Sequence, residues 1–185
     1  MPLTTLDPIT ALVVIDLQKG IVALPAVHPM REIIAHNVEL LRAFRKRHLP
    51  VVLVNVAGAA PGRTHAGPRN FVFPPDWTEL IPELETHPND HLVTKRRPGA
   101  FLGTDLDQYL RARGVTQIVL TGVATSNGVE ATARSAFDLG YHVTFIVDAM
   151  TDRDAEAHRY SVERTFPRIG ETGTTAELIA FFAVC

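Results

Sequence analysis

Cysteine is nearly absent from this chain of 185 residues: one is present, Cys185, the last residue. No disulfide can form within the chain, so a bridge-stapled scaffold is excluded and a reducing, cytoplasmic setting is expected. An excess of basic charge is missing too. The formal net charge is −2 and the pI near 6.4, which argues against a nucleic-acid binder. No apolar run approaches the roughly 20 residues of a membrane span. Residues 1–5 show no charged region leading into an apolar stretch, so no secretory signal is expected. The chain also lacks G-x-x-x-x-G-K-[ST], G-x-G-x-x-G and G-x-S-x-G, which removes the phosphate loop, the dinucleotide fingerprint and the serine elbow. Lysine is scarce, three against fifteen arginines.

What is present is a β/α rhythm. Apolar residues make up 46% of the chain, enough to bury a core between layers. Near-continuous apolar runs at residues 11–15, 51–56, 91–93, 117–120 and 142–147 read as strands covered on both faces. A weaker sixth strand is expected around Ile169. Between them, Met30, Ile33, Ile34, Val38, Leu41 and Phe44 keep a period near 3.6 and predict a helix. Thr104 is placed to cap a helix that Gly114 ends, Gly140 ends the next, and Thr174 with Glu177 forms a capping box for the last. No internal repeat or linker appears. One domain, residues 1–185, is expected: a three-layer α/β/α sandwich around a six-stranded parallel sheet. Residues 57–90, rich in Pro and Gly, break the rhythm and read as a long functional loop over a site or against a partner subunit.

In such sheets ligands bind beyond the carboxyl ends of the strands. Three places there carry chemistry. Asp16 closes the first apolar run, where burial raises a carboxyl pKa and a neighbouring cation lowers it, a tuning that suits a general acid or base; capping a turn is the plainer role. Lys95 follows the third run, where its ammonium can hold Asp16 ionised or steady developing charge, or lie at the surface. The stretch Thr121-Gly122-Val123-Ala124-Thr125-Ser126-Asn127-Gly128-Val129 leads from strand to helix, and its free N–H groups can meet an oxyanion or carboxylate, or merely connect. The run Arg45-Lys46-Arg47 reads as a solvated helix face.

Together these stretches resemble the isochorismatase-like hydrolase family. Val14-Ile15-Asp16-Leu17-Gln18 is similar to its V-x-D-x-Q motif. Lys95-Arg96-Arg97-Pro98-Gly99-Ala100-Phe101, with Thr104 and Leu106, resembles its lysine motif. Gly122-Val123-Ala124-Thr125, with Val129, Thr132, Ala133 and Ala136, resembles its third. The resemblance covers residues 8–180 and implies a six-stranded parallel sheet, a homodimer or larger homo-oligomer, and a non-proline cis peptide between Val123 and Ala124. It implies Asp16 and Lys95 as catalytic residues, backbone of Val123, Ala124 and Gly128 as the oxyanion pocket, and Gln18, Asn55, Phe101 and Thr125 as substrate-binding residues.

Cysteine-dependent members carry their nucleophile where this chain has Gly128, so a thioester route is not expected. The resemblance to the glycine-bearing branch implies hydrolysis of a vinyl ether, with Asp16 as proton donor, Lys95 orienting it, and Gly128 leaving room for substrate or water. Where isochorismatases carry Y-S-A-F, this chain reads Pro98-Gly99-Ala100-Phe101, which points to another substrate. The competing reading is a ligand-binding or oligomeric regulatory relative that kept the pocket and lost the nucleophile.

No cofactor is expected. His65 stands without an Asp-x-His, and Pro88 separates His87 from His91, so no metal is expected either. Arg63, Arg69, Arg96 and Arg97 are candidates for a carboxylate on a small-molecule substrate. Trp77 and Phe101 read as pocket wall or core, His158 as a core or surface residue, and residues 178–184 as an apolar end for a subunit interface.

Overall fold

The computed structural model describes residues 3–65 and 73–184. Six parallel strands form one sheet: β1 (Thr10–Ile15), β2 (Val51–Val56), β3 (His91–Lys95), β4 (Gln117–Val123), β5 (His142–Thr151) and β6 (Glu171–Gly173), in the order β3-β2-β1-β4-β5-β6. The helices are α1 (Lys19–Val22), α2 (Met30–Lys46), α3 (Leu106–Ala112), α4 (Glu130–Asp138), α5 (Ala155–Tyr160) and α6 (Thr175–Val184). None of them is long and apolar enough to cross a membrane. The first three strands build outward from β1 and the last three from β4 on its other side. The strand order therefore reverses between β1 and β4, where a crevice opens beyond their carboxyl ends.

The alternation of side chains along β1 shows why the sheet is covered twice. Ala11, Val13 and Ile15 face one apolar core with Leu106, Leu110, Ala133 and Ala136 from α3 and α4. Leu12 and Val14 face a second core with Ile33, Leu40, Leu41 and Phe44 from α2 and Leu178 and Phe182 from α6. Phe145 stacks on Phe166 in the first, ring centroids 3.8 Å apart. In the second, Phe44 meets Phe182 edge-on at 5.2 Å. Leu178 and Phe182, read as part of a subunit interface, are thus covered within the chain.

Gly122 shows how closely the two central strands approach. It sits at φ +105°, and a Cβ there would lie 2.0 Å from the carbonyl oxygen of Ile15, a position closed to any side chain. The peptide between Val123 and Ala124 is cis.

Local signals placed several ends correctly. Thr174 N–H donates to Glu177 Oε2 at 2.7 Å and Glu177 N–H returns to Thr174 Oγ1 at 3.2 Å, the capping box that starts α6. The sixth strand differs from expectation. Ile169 follows a 3₁₀ turn, Phe166–Arg168, and packs against the core, so pairing with β5 begins at Glu171. Residues Thr125–Val129 form a π-helical turn that leads into α4.

Candidate active site

Asp16 stands one residue beyond β1 in a left-handed backbone conformation, φ 53°. Its N–H is held by the Val54 carbonyl at 2.8 Å, which continues the β1–β2 ladder past the strand. Lys95 ends β3, two strands away, and reaches across β2. Its Nζ lies 2.7 Å from Asp16 Oδ2 and donates to the Pro98 carbonyl at 2.9 Å. Both side chains are almost wholly buried, at 2% and 7% exposure. Burial pushes the Asp16 carboxyl up from 3.8 to about 6, while the Lys95 charge and hydrogen bond hold it back. Oδ1 is buried without a hydrogen-bond partner among the described residues, so one acceptor is left for an incoming group.

The third motif brings the turn after β4 onto this carboxylate. A Cβ built on Gly128 would stand 3.3 Å from Asp16 Oδ2 and 3.0 Å from Ile15 Cγ2. Residue 128 therefore faces the acid, and glycine leaves that volume open. Thr132 explains why the second and third motifs go together. Its Oγ1 donates to the Gly128 carbonyl at 2.7 Å and accepts from Ala100 N–H at 3.1 Å, joining the turn to the lysine loop. Gly99 packs beside it, where a Cβ would come within 3.2 Å of the Ala131 carbonyl.

Asp16, Lys95, Val123, Ala124 and Gly128 line one cavity of about 690 Å³. One wall is apolar. Ile21, Leu24 and Met30 lie on it, as does Trp77, which stacks on Phe73 with centroids 4.0 Å apart. Trp77 also presses on Gly20, where a Cβ would meet its ring at 2.0 Å. From the described parts of segment 57–90, residues 58–60, Gly62, Thr64, Phe73 and Trp77 line the cavity. Exposed Arg97 and Arg153 lie on the lining as well, and neither guanidinium has an ion-pair partner among the described residues.

Four residues read as substrate-binding are not brought to this lining. Gln18 is fully buried and spent on backbone: Oε1 accepts from Val56 N–H at 2.6 Å, and Nε2 donates to the carbonyls of Val56 at 3.1 Å and Trp77 at 3.0 Å. Asn55 donates to the Thr78 carbonyl at 2.7 Å. Both fasten the long segment to the sheet edge. Phe101 lies in the core against Tyr141. The Thr125 hydroxyl pairs with His158 Nδ1 at 2.9 Å. Arg63 and Arg96 are exposed and off the lining; Arg69 and Cys185 lie outside the described residues.

Sequence reasoning missed the far side of the site. His158 has the partners it was read without, since it also meets His28 edge-on at 4.7 Å. Burial and the His28 charge lower its pKa, against the pull of Asp152. Asp152 and Arg153 follow β5, and the same rule about carboxyl ends, applied to the fifth strand, would have found them. Among the described residues no three His, Cys, Asp or Glu side chains converge as a metal site would need.

A parallel sandwich with a buried, cation-paired carboxyl group at its topological switch point is the framework of an enzyme. The isochorismatase domain pattern matches residues 10–177. The chain is 44% identical over 181 residues to the uncharacterized isochorismatase family protein YwoC of Bacillus subtilis, covering 92% of each. An isochorismatase family protein from Burkholderia thailandensis superposes with a TM-score of 0.92 at 42% identity, covering 97% of this chain and 98% of that one. N-carbamoylsarcosine amidase from Thermoplasma acidophilum superposes at 0.72 and 26% identity, over 90% and 96%. The chain belongs to the isochorismatase family and is a hydrolase of that kind.

Proposed function

We propose that this hydrolase cleaves a carboxylate-bearing vinyl ether by proton transfer from Asp16, without a covalent intermediate. The observation that carries the reading is Asp16 itself. Its carboxyl group is buried, holds its proton up to about pH 6, and faces a glycine where a thiol would have to stand. The sole cysteine of the chain is at position 185, outside the described residues and far from Gly128 in sequence.

Asp16 gives its proton to the terminal enol carbon, and the C=C pair becomes the new C–H bond. The ether oxygen stabilises the positive carbon that results. Water adds to that carbon and returns a proton to Asp16. The hemiketal then breaks its C–O bond and releases an alcohol and a keto acid. Lys95 keeps the carboxyl group oriented and balances the carboxylate that forms. Arg97 and Arg153 meet the substrate carboxylate, and its apolar body lies against Trp77 and its neighbours. Amide cleavage, the activity in the name of the Thermoplasma relative, would need a nucleophile that Gly128 does not supply.

The test is turnover of isochorismate and other carboxylated enol ethers, with keto-acid release followed by mass spectrometry. Release by the wild type and none by Asp16→Asn is expected. Hydrolysis of amides or ureido acids in place of enol ethers would overturn the reading, and tight binding without turnover would favour a binding protein.

A further inference from the structure

Asp152 is buried, at 5% exposure, just beyond β5, and no step of the proposed reaction uses it. Among the described residues its carboxylate accepts four hydrogen bonds, three of them from Ser126 and Arg153, which line the cavity. Oδ2 accepts Ser126 N–H at 2.7 Å and the Ser126 hydroxyl at 2.8 Å. Oδ1 accepts Arg153 N–H at 2.7 Å and Asp154 N–H at 3.3 Å. Its own carbonyl accepts Val27 N–H at 2.8 Å, from the loop that carries Leu24, Pro25 and Ala26 onto the lining. Asp154 in turn caps α5, taking Glu156 N–H at 2.8 Å and Ala157 N–H at 3.1 Å. Through His158, α5 supports the neighbouring Thr125 hydroxyl. Three cavity walls, the 124–128 turn, the end of β5 and the 23–29 loop, are therefore fastened to one residue.

We infer that Asp152 is the positioning residue of this site: its carboxylate fixes the turn that sets Gly128 beside Asp16 and sets Arg153 at the cavity wall. The role in turnover rests on the hydrolase reading above; the placement of the turn does not. A carboxylate is required because four donors converge on it. An asparagine offers one oxygen and one NH2 group, and in either orientation the NH2 group confronts a backbone N–H. Loosening the turn admits water beside Asp16 and weakens the burial that raises its pKa.

The experiment uses 13C-aspartate and 15N-labelled full-length protein with no substrate. In Asp152→Asn the Asp16 midpoint is expected to fall from about 6 by about half a unit or more. The Ser126 and Gly128 amides should lose about tenfold or more of their exchange protection, while core amides such as Val13 and Leu120 keep theirs. Ser126→Ala, which deletes one contact and keeps the N–H bond, should give a smaller change of the same sign. With an active substrate, kcat per folded molecule falls about tenfold or more. An unchanged Asp16 midpoint with unchanged Ser126 protection would overturn the proposal. A lowered melting temperature with the Asp16 midpoint and kcat intact would reduce Asp152 to a structural residue, and overturns it equally. Failure to find a substrate leaves the two spectroscopic outcomes decisive.

Discussion

Replacing Lys95 by Met tests the electrostatics of the site most directly. The two side chains are close in volume, so the change removes a buried charge together with its bonds to Asp16 and the Pro98 carbonyl. In the wild type two influences on Asp16 oppose each other: burial raises its pKa, and Lys95, 2.7 Å away, lowers it to about 6. A hydrogen bond to a charged group is worth about 1.5–3 kcal/mol, or about one to two pKa units. The Asp16 midpoint in Lys95→Met is therefore expected near 7–8, read by 13C titration of labelled aspartate. With Asp16 as the proposed proton donor, the wild-type rate should be flat in acid and fall above pH 6. The variant should carry its acid plateau one to two units further, at a lower rate. Above the new midpoint the buried carboxylate would stand alone, at a cost of about 3–5 kcal/mol in stability. A midpoint that stays at 6 or drops would refute the claim that Lys95 restrains Asp16.

The Asp16 pKa is higher folded than unfolded, so its contribution to stability is full below about pH 4 and disappears as pH rises through 6. Urea unfolding should show wild type losing about 2 kcal/mol relative to Asp16→Asn between pH 4.5 and 7.5. Gly128→Ala places a methyl group 3.3 Å from Asp16 Oδ2 and 3.0 Å from Ile15 Cγ2; kcat should fall about tenfold or more while stability changes by about 1–2 kcal/mol, measured by steady-state kinetics and thermal melts. Arg153→Gln should raise KM about tenfold or more for a carboxylated substrate with kcat little changed, whereas equal losses with a neutral analogue would remove the arginine from recognition.

The sheet was legible because its inner strands β1, β2, β4 and β5 are largely apolar on both faces, as a doubly covered parallel sheet asks. The edge strands depart from this, with Leu92 of β3 57% exposed and β6 reading Glu-Thr-Gly. The pairing of Asp16 with Lys95 was foreshadowed because a carboxylate and a scarce lysine closed two of the apolar runs. Other polar residues in the same motifs lie off the cavity lining for a physical reason. Gln18, Asn55 and Thr125 also sit near strand ends, but each has a backbone or imidazole partner at hand, and a buried amide or hydroxyl is satisfied locally before it is offered to a ligand. Sequence adjacency to Asp16 does not reveal which of two polar groups will be so engaged. Asp152 and Arg153 escaped for a different reason: they lie in a polar stretch, Thr151-Asp152-Arg153-Asp154, that reads as an ordinary turn.

The distribution of bonded and unbonded polar atoms separates support from chemistry in this cavity. Asp152 accepts four hydrogen bonds from donors of its own chain, which fits a group that must not move. Asp16 has one oxygen tied to Lys95 and the other buried without a partner among the described residues. An unpaired buried oxygen costs stability, and a fold that keeps one while saturating a second carboxylate nearby has left it for the substrate. Gly128 fits the same division. Thr125 and Val129 of the turn are buried, and the position that faces the acid has no side chain at all. In the proposed reaction, the open volume beside Asp16 takes the reacting carbon and the water that follows the proton.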